Sequence, residues 1–239
     1  MRSNYSLEIN HFLRKQFQSQ PLLYYFWFKL YRSNGGIKKQ WFDKRISFYF
    51  DGYPRSGNTF MAHLINSIYD NEKILHHYHV IAPLKIALRN KIKSIIIIRE
   101  PQECISSNYI KKFEKTKMPL QINQILLQNL LTDYIVYYEY IKKKYDEVYI
   151  VNFNKLVSHP ERTLLNIDIF LNNLSGIKNE KDFLEKISKV KSISFGSKSK
   201  LGSSLPNLDK EKLKIEIKNN LTDLNNFSSA ENIFNDLVK

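Results

Sequence analysis

The chain has 239 residues, enough for one domain with a sizeable core or for one domain and a small helical annex. Ordinary apolar content with 15 Tyr and 15 Phe describes a folded globular protein, and a single cysteine, Cys104, excludes an intrachain disulfide. No stretch approaches the roughly 18 continuous apolar residues of a membrane span, and the formal net charge of +14 calls for an anionic partner.

Nucleotide phosphates, a sulfated or acidic glycan, nucleic acid and an anionic membrane surface all satisfy that charge. The first residues, with Arg2, Asn4 and Glu8, lack a signal-peptide apolar region, so a cytoplasmic protein is expected. Tyr5 to Tyr31 reads as one or two amphipathic helices broken near Pro21 and dense in Phe, Tyr and Trp27. Such an arm, residues 1–40, packs on the domain. Alternatively, Arg14, Lys15, Lys29 and Arg32 beside its aromatics give a peripheral membrane contact. Ser33-Asn34-Gly35-Gly36 is a turn, and the main domain, 41–239, begins near Trp41.

Ile46 to Phe50 is an aromatic and β-branched run that predicts a strand. Phe60, Met61, Leu64, Ile65 and Ile68 recur at helical spacing behind it. The loop between them, Tyr53-Pro54-Arg55-Ser56-Gly57-Asn58-Thr59, empties into a helix start. Amides there lack intrahelical partners and the helix dipole favours an anion. Gly52, Gly57, Asn58 and Thr59 fit the spacing of a phosphate loop, GxxxxGK[ST], with asparagine in the place of its lysine. Arg55, inside the turn, is the cation instead.

Ile74 to His79 predicts a second strand, and Pro83 to Asn90 a helix. Ser94 to Ile98 is β-branched without alternation, the pattern of a central parallel strand buried on both faces. It ends in Arg99 and leads to a helix over Gln102–Lys112. A long helix follows from Leu120 to Tyr145, then a strand from Glu147 to Phe153 and a helix from Pro160 to Asn172. Lys191 to Pro206 reads as a loop. Helices follow over Leu208–Asn219 and Ser228–Lys239, the second opened by a capping box from Ser228 to Glu231. Alternating strands and helices make this an α/β fold. It has three layers like a P-loop protein, with a central parallel sheet flanked by helices and further helical segments at both ends.

Ligands of such sheets sit beyond the carboxyl ends of the strands. The Arg55 loop, the histidines His76, His77 and His79, and Arg99 all fall there. Arg99 occupies the place where a nucleotide hydrolase would carry a metal-binding Asp, and it suits an anion. His77 and His79, two apart on a strand, project from one face, the arrangement of a pair of metal ligands. A histidine beside a phosphate loop suits a general base better, and no metal is expected.

Tyr53 to Phe60 resembles the 5′-phosphosulfate loop of sulfotransferases that use 3′-phosphoadenosine 5′-phosphosulfate (PAPS). Arg99 to Ser107, an arginine followed eight positions later by a serine, resembles their 3′-phosphate motif. Asp146 to Leu156 looks like a later strand and its exit loop, and Ile169-Phe170-Leu171 fits the helix beyond. The resemblance spans about Ser47 to Asn172. It implies that Arg55, Ser56, Gly57, Asn58 and Thr59 hold the phosphosulfate, that Phe60 stacks on adenine, and that Arg99 and Ser107 bind the 3′-phosphate. Arg55 stands where many members have lysine, and Asn58 where threonine is common. Lys198 and Lys200, with Gly202, would serve as the C-terminal basic loop.

The implied reaction is sulfuryl transfer from PAPS, as co-substrate, to an acceptor hydroxyl, with Arg55 as electrostatic catalyst. The base is His79, or else His77, which fits the spacing to Arg99 comparably well. A glycan, a lipid-linked saccharide or a small alcohol could accept, and nucleic acid is not expected. The competing readings are a phosphate-loop kinase or NTPase, and a non-enzymatic basic module binding nucleic acid or membrane.

Overall fold

A computed structural model describes residues 16, 18–32, 46–116, 122–177, 179, 181–188 and 208–239. The four isoleucines Ile95, Ile96, Ile97 and Ile98 alternate between two separate cores, so β-branched residues cover both faces of the strand β3 (Ser94–Ile98). Its neighbours are β1 (Phe48–Gly52) and β4 (Val148–Asn152), and β2 (Ile74–His76) lies beyond β1. All four pair in parallel in the order β2-β1-β3-β4.

One core receives Tyr49, Leu75, Ile96, Ile98 and Val148 from the sheet, and the other receives Phe48, Phe50, Ile95, Ile97 and Val151. That period of two carries a helical layer on each face. The first layer holds α3 (Ile81–Arg89), α4 (Pro101–Thr116), α5 (Gln124–Lys142), α8 (Leu208–Thr222) and α9 (Phe227–Val238). The second holds α2 (Asn58–Ile68), α6 (Phe153–Ser158), α7 (Pro160–Phe170) and a helical segment at 181–188. The α/β three-layer expectation therefore holds. Ahead of the sheet, α1 (Pro21–Arg32) begins at the expected break and buries Tyr24 in the first core. No helix among the described residues is long and apolar enough to cross a membrane.

Several local expectations need correction. The strand β1 starts and ends two residues later than its aromatic run, because Asp51 and Gly52 stay in register with Ile96 and Ile97 of β3. β2 stops at His76. His77 and His79 have φ of 63° and 59°, so they sit in left-handed turns, and the one-face strand pairing of these histidines is not formed. The Asp51 carboxylate accounts for the ending, since it accepts the Tyr78 and His79 amides at 3.1 and 2.7 Å. The Ser228–Glu231 capping box is absent. The last helix starts at Phe227, whose ring is buried in the core, with Asn226 at the N-cap and no side-chain cap bond. Phe153, read as the end of a strand, opens α6, where the Asn152 side chain accepts the Asn154 amide at 2.8 Å. Asn123 likewise caps α5 and fixes its start. The Ser33–Gly36 turn, the boundary near Trp41 and the loop at 191–206 lie outside the described residues.

Candidate functional site

β1 and β3 are adjacent, yet the helices that follow them, α2 and α4, pack on opposite faces. The chain thus parts at the carboxyl end of the two central strands, and a crevice forms between the β1–α2 loop and the β3–α4 turn. The expected phosphate loop and Arg99 border that crevice.

Two glycines let the loop close onto its neighbours. A Cβ on Gly52 would lie 2.4 Å from the Ile97 carbonyl oxygen. Gly57, the N-cap of α2, has φ of 103°, and a Cβ there would lie 2.2 Å from the Phe153 ring. No side chain caps α2, and its first intrahelical bond runs from the Met61 amide to the Gly57 carbonyl at 3.0 Å. An uncapped start of this kind presents amides and the positive end of the dipole to an anion.

Below, the loop is anchored to α5. The Tyr53 hydroxyl donates to the Leu130 carbonyl at 2.9 Å, and the Asn108 amide donates to that hydroxyl at 3.3 Å. The Tyr138 hydroxyl donates to the Ile97 carbonyl at 2.7 Å and accepts the Tyr53 amide at 3.3 Å. Ser56 is fully buried with its hydroxyl 2.9 Å from that of Tyr138, and its amide donates to the Tyr53 carbonyl. Its polar atoms are thus committed to the turn. Asn58 is buried too, and its amide donates to the Gly52 and Tyr53 carbonyls at 3.2 Å each. In the place of a phosphate-loop lysine, it ties the loop to its own strand.

Arg55 faces outward, with φ of 74°, and its Nε donates to the Ser107 hydroxyl at 2.9 Å. Arg99 donates to the Arg55 carbonyl at 3.2 Å, pairs with Glu103 at 3.3 Å and lies over the Phe153 ring at 4.6 Å. The two sequence motifs therefore share one site. Thr59 is exposed, with its hydroxyl 3.5 Å from His77 Nε2. Phe60 is half-buried and packs against the second core. Lys198 and Lys200 lie outside the described residues. Instead, Lys214 and Lys218 of α8 converge on Glu103, Lys214 at 3.0 Å. Burial pushes the Glu103 carboxyl up, but the bonds from Lys218 and Lys214 outweigh it and hold the group below its ordinary value.

The histidines converge on the other side of the loop. His76 stacks on Phe50 at 4.9 Å and its Nδ1 contacts His77 Nδ1, while the His77 and His79 rings meet edge to face at 5.5 Å. His79 is 27% exposed. Its Nδ1 lies 2.9 Å from the Gly52 carbonyl oxygen and 3.1 Å from Asp51 Oδ1. Two acceptors at one ring nitrogen put the proton on Nδ1 and leave Nε2 as the basic atom.

Asp51, fully buried, went unnoticed in the sequence. Besides His79 it accepts the Tyr49 hydroxyl at 2.8 Å and the Gly52 amide at 3.0 Å. Burial raises its carboxyl, and the charge and hydrogen bonds of His79 and the Gly52 amide outweigh that, so it lies below its ordinary value. Among the described residues no group of three or more His, Cys, Asp or Glu side chains could hold a metal ion.

Among solved structures the chain is similar to mouse sulfotransferase SULT7A1 complexed with PAP. The TM-score is 0.49 and the identity 13%, over 80% of this chain and 88% of that one. At that level the likeness bears on neither activity nor individual residues. No protein-family model and no curated protein matches the chain.

Proposed function

We propose that the chain is a sulfotransferase that moves the sulfuryl group of PAPS to an acceptor hydroxyl. The observation that carries this reading is the Arg55–Ser107 hydrogen bond, which joins the two motifs that resemble the phosphosulfate and 3′-phosphate sites. The uncapped start of α2 and the exposed Arg55 guanidinium beside it are a donor set that fits a phosphate group.

In this reading the α2 amides and Arg55 hold the 5′-phosphosulfate, and Arg99 and Ser107 hold the 3′-phosphate. His79 takes the acceptor's proton on Nε2 as the acceptor oxygen attacks sulfur in line. A new oxygen–sulfur bond forms, the bond from sulfur to the bridging phosphate oxygen breaks, and its electron pair stays on that oxygen. Arg55 offsets the charge that builds there and remains protonated throughout. Asp51 holds the His79 ring in the required tautomer and stabilises its cation. Positioning and charge stabilisation supply most of the rate, as in phosphoryl transfer.

A kinase or NTPase reading is opposed by Asn58 in the lysine's place and by Arg99 where an acid would bind the metal. The test is release of 3′,5′-adenosine bisphosphate from PAPS with a panel of hydroxyl acceptors. Acceptor-dependent release that His79→Ala abolishes supports the reading, and transfer from ATP in place of PAPS contradicts it.

A further inference from the structure

Away from the crevice, α1 has one face in the protein and one in water. Tyr24 is buried in the first core, and the helix packs beside α3. Leu22 and Phe26, one turn apart on the opposite side, are 74% and 59% exposed, and Leu23 is exposed as well. The Tyr25 ring meets the Phe26 ring edge to face at 5.8 Å and widens this apolar ridge. A helix of 12 residues is about 18 Å long, too short to cross a hydrocarbon core of roughly 30 Å.

Cations gather beside the ridge. The sequence of α1 carries Lys29 and Arg32 and no carboxylate. Lys85 of α3 donates to the Ser19 carbonyl at 2.9 Å, just ahead of α1, and lies over the Tyr140 ring at 5.2 Å. Burial first and the nearby Arg89 charge second hold the Lys85 ammonium below its ordinary value. Arg89 is exposed, and among the described residues neither cation forms an ion pair. Lys144 also faces Tyr140 but is paired with Glu147 at 2.7 Å, so Lys85 and Arg89 are the charges in excess.

An exposed apolar ridge with a cationic flank matches an anionic membrane surface, which satisfies both. Nucleic acid would neutralise the cations and leave Leu22 and Phe26 in water. A second copy would bring like charge against like, at a formal net charge of +14 on each chain. We infer that α1 docks the protein flat on anionic phospholipid, with Leu22 and Phe26 in the apolar layer and the Arg89 and Lys85 charges toward the headgroups. This docking is independent of the reaction in the crevice.

The experiment sediments the full chain with vesicles of phosphatidylcholine alone and of phosphatidylcholine with an equal share of phosphatidylglycerol. Wild type is compared with the double variant Leu22→Ser/Phe26→Ser and with Arg89→Gln, and sedimentation velocity without lipid reports self-association. All three positions are exposed, so circular dichroism should show the fold intact. Binding to the anionic vesicles alone is expected, weakened about tenfold or more in the double variant and about fivefold in Arg89→Gln. It should be released as salt rises from about 0.1 M to about 1 M. The lipid and salt dependence of wild type decides the matter even where a variant fails to fold. Full binding by the double variant, equal binding to both vesicles, or binding to neither overturns the membrane assignment. So does a wild-type dimer that the double variant loses, since the ridge would then belong to a second copy. Each of these outcomes leaves the sulfotransferase reading standing.

Discussion

Arg55 Nε donates to the Ser107 hydroxyl at 2.9 Å, joining a turn after β1 to a helix after β3. The two residues come from different elements, so the bond depends on the β1–β3 pairing behind it. Exposed pairs of this kind contribute little stability. Its consequence is geometric, since it sets one arginine beside the groove that Arg99 borders.

Replacing Ser107 by Ala should therefore spare the fold and weaken 3′,5′-adenosine bisphosphate by about tenfold, the scale of one charge-assisted hydrogen bond. Affinity for 5′-AMP should change less. Arg55→Ala should weaken both nucleotides. Calorimetric titration of each variant with each nucleotide reads the difference, and equal losses for Ser107→Ala on both would remove Ser107 from the 3′-phosphate.

His79→Ala should lower turnover by about 10²–10⁴, the usual range of general base catalysis, with bisphosphate affinity little changed. His77→Ala should retain activity, because the Asp51 and Gly52 acceptors orient the His79 ring. A full loss in His77→Ala with His79→Ala intact would transfer the base to His77.

Asp51 gives acid sensitivity with a definite sign. Its carboxyl is depressed in the fold, so its contribution to stability is complete above the unfolded value near 3.8 and disappears as pH falls through the lower folded value. Asp51→Asn should flatten this acid limb. At neutral pH it should cost roughly 1–3 kcal/mol, the scale of a buried hydrogen-bonding group left unsatisfied, since Asp51 accepts from Tyr49, Gly52, Tyr78 and His79. Denaturant midpoints from pH 3 upward, roughly spanning the ordinary carboxylate value, measure both effects.

Tyr138→Phe should destabilise the protein by about 1–3 kcal/mol and loosen the loop. Its hydroxyl serves the Ile97 carbonyl, the Tyr53 amide and the Ser56 hydroxyl, all buried. Urea unfolding measures the first effect, and weaker bisphosphate binding reports the second.

Cys104 should resist alkylation in the native state. Burial pushes its thiol up to about 12, and Ser56 only partly offsets it. Mass-spectrometric labelling across a denaturant series should show modification only as the chain unfolds. Rapid native labelling would mean that the loop opens away from α4.

The strands and both anion motifs were legible because they are local in sequence. Ser94–Ile98 announces burial on two faces, and Gly52 with Gly57 announces a tight turn. The Asp51–His79 pair was not legible, since a strand-end aspartate shows no partner until the turn after β2 folds back on it. That same bond places histidines at positive φ, which composition does not favour. Tyr137 and Tyr138 are adjacent on α5, and both are buried. Only the hydroxyl partners of Tyr138 mark it as the anchor of the loop. Lys214 and Lys218 stand four apart on α8, but no local signal ties them to Glu103, which lies on a helix over a hundred residues earlier.

The most direct measurement is calorimetric titration of the full chain with 3′,5′-adenosine bisphosphate and with magnesium ATP, in wild type and Arg99→Ala. Tight binding of the bisphosphate, lost in Arg99→Ala, and weak binding of ATP are expected. Preference for magnesium ATP, unaffected by Arg99→Ala, would contradict the sulfotransferase account.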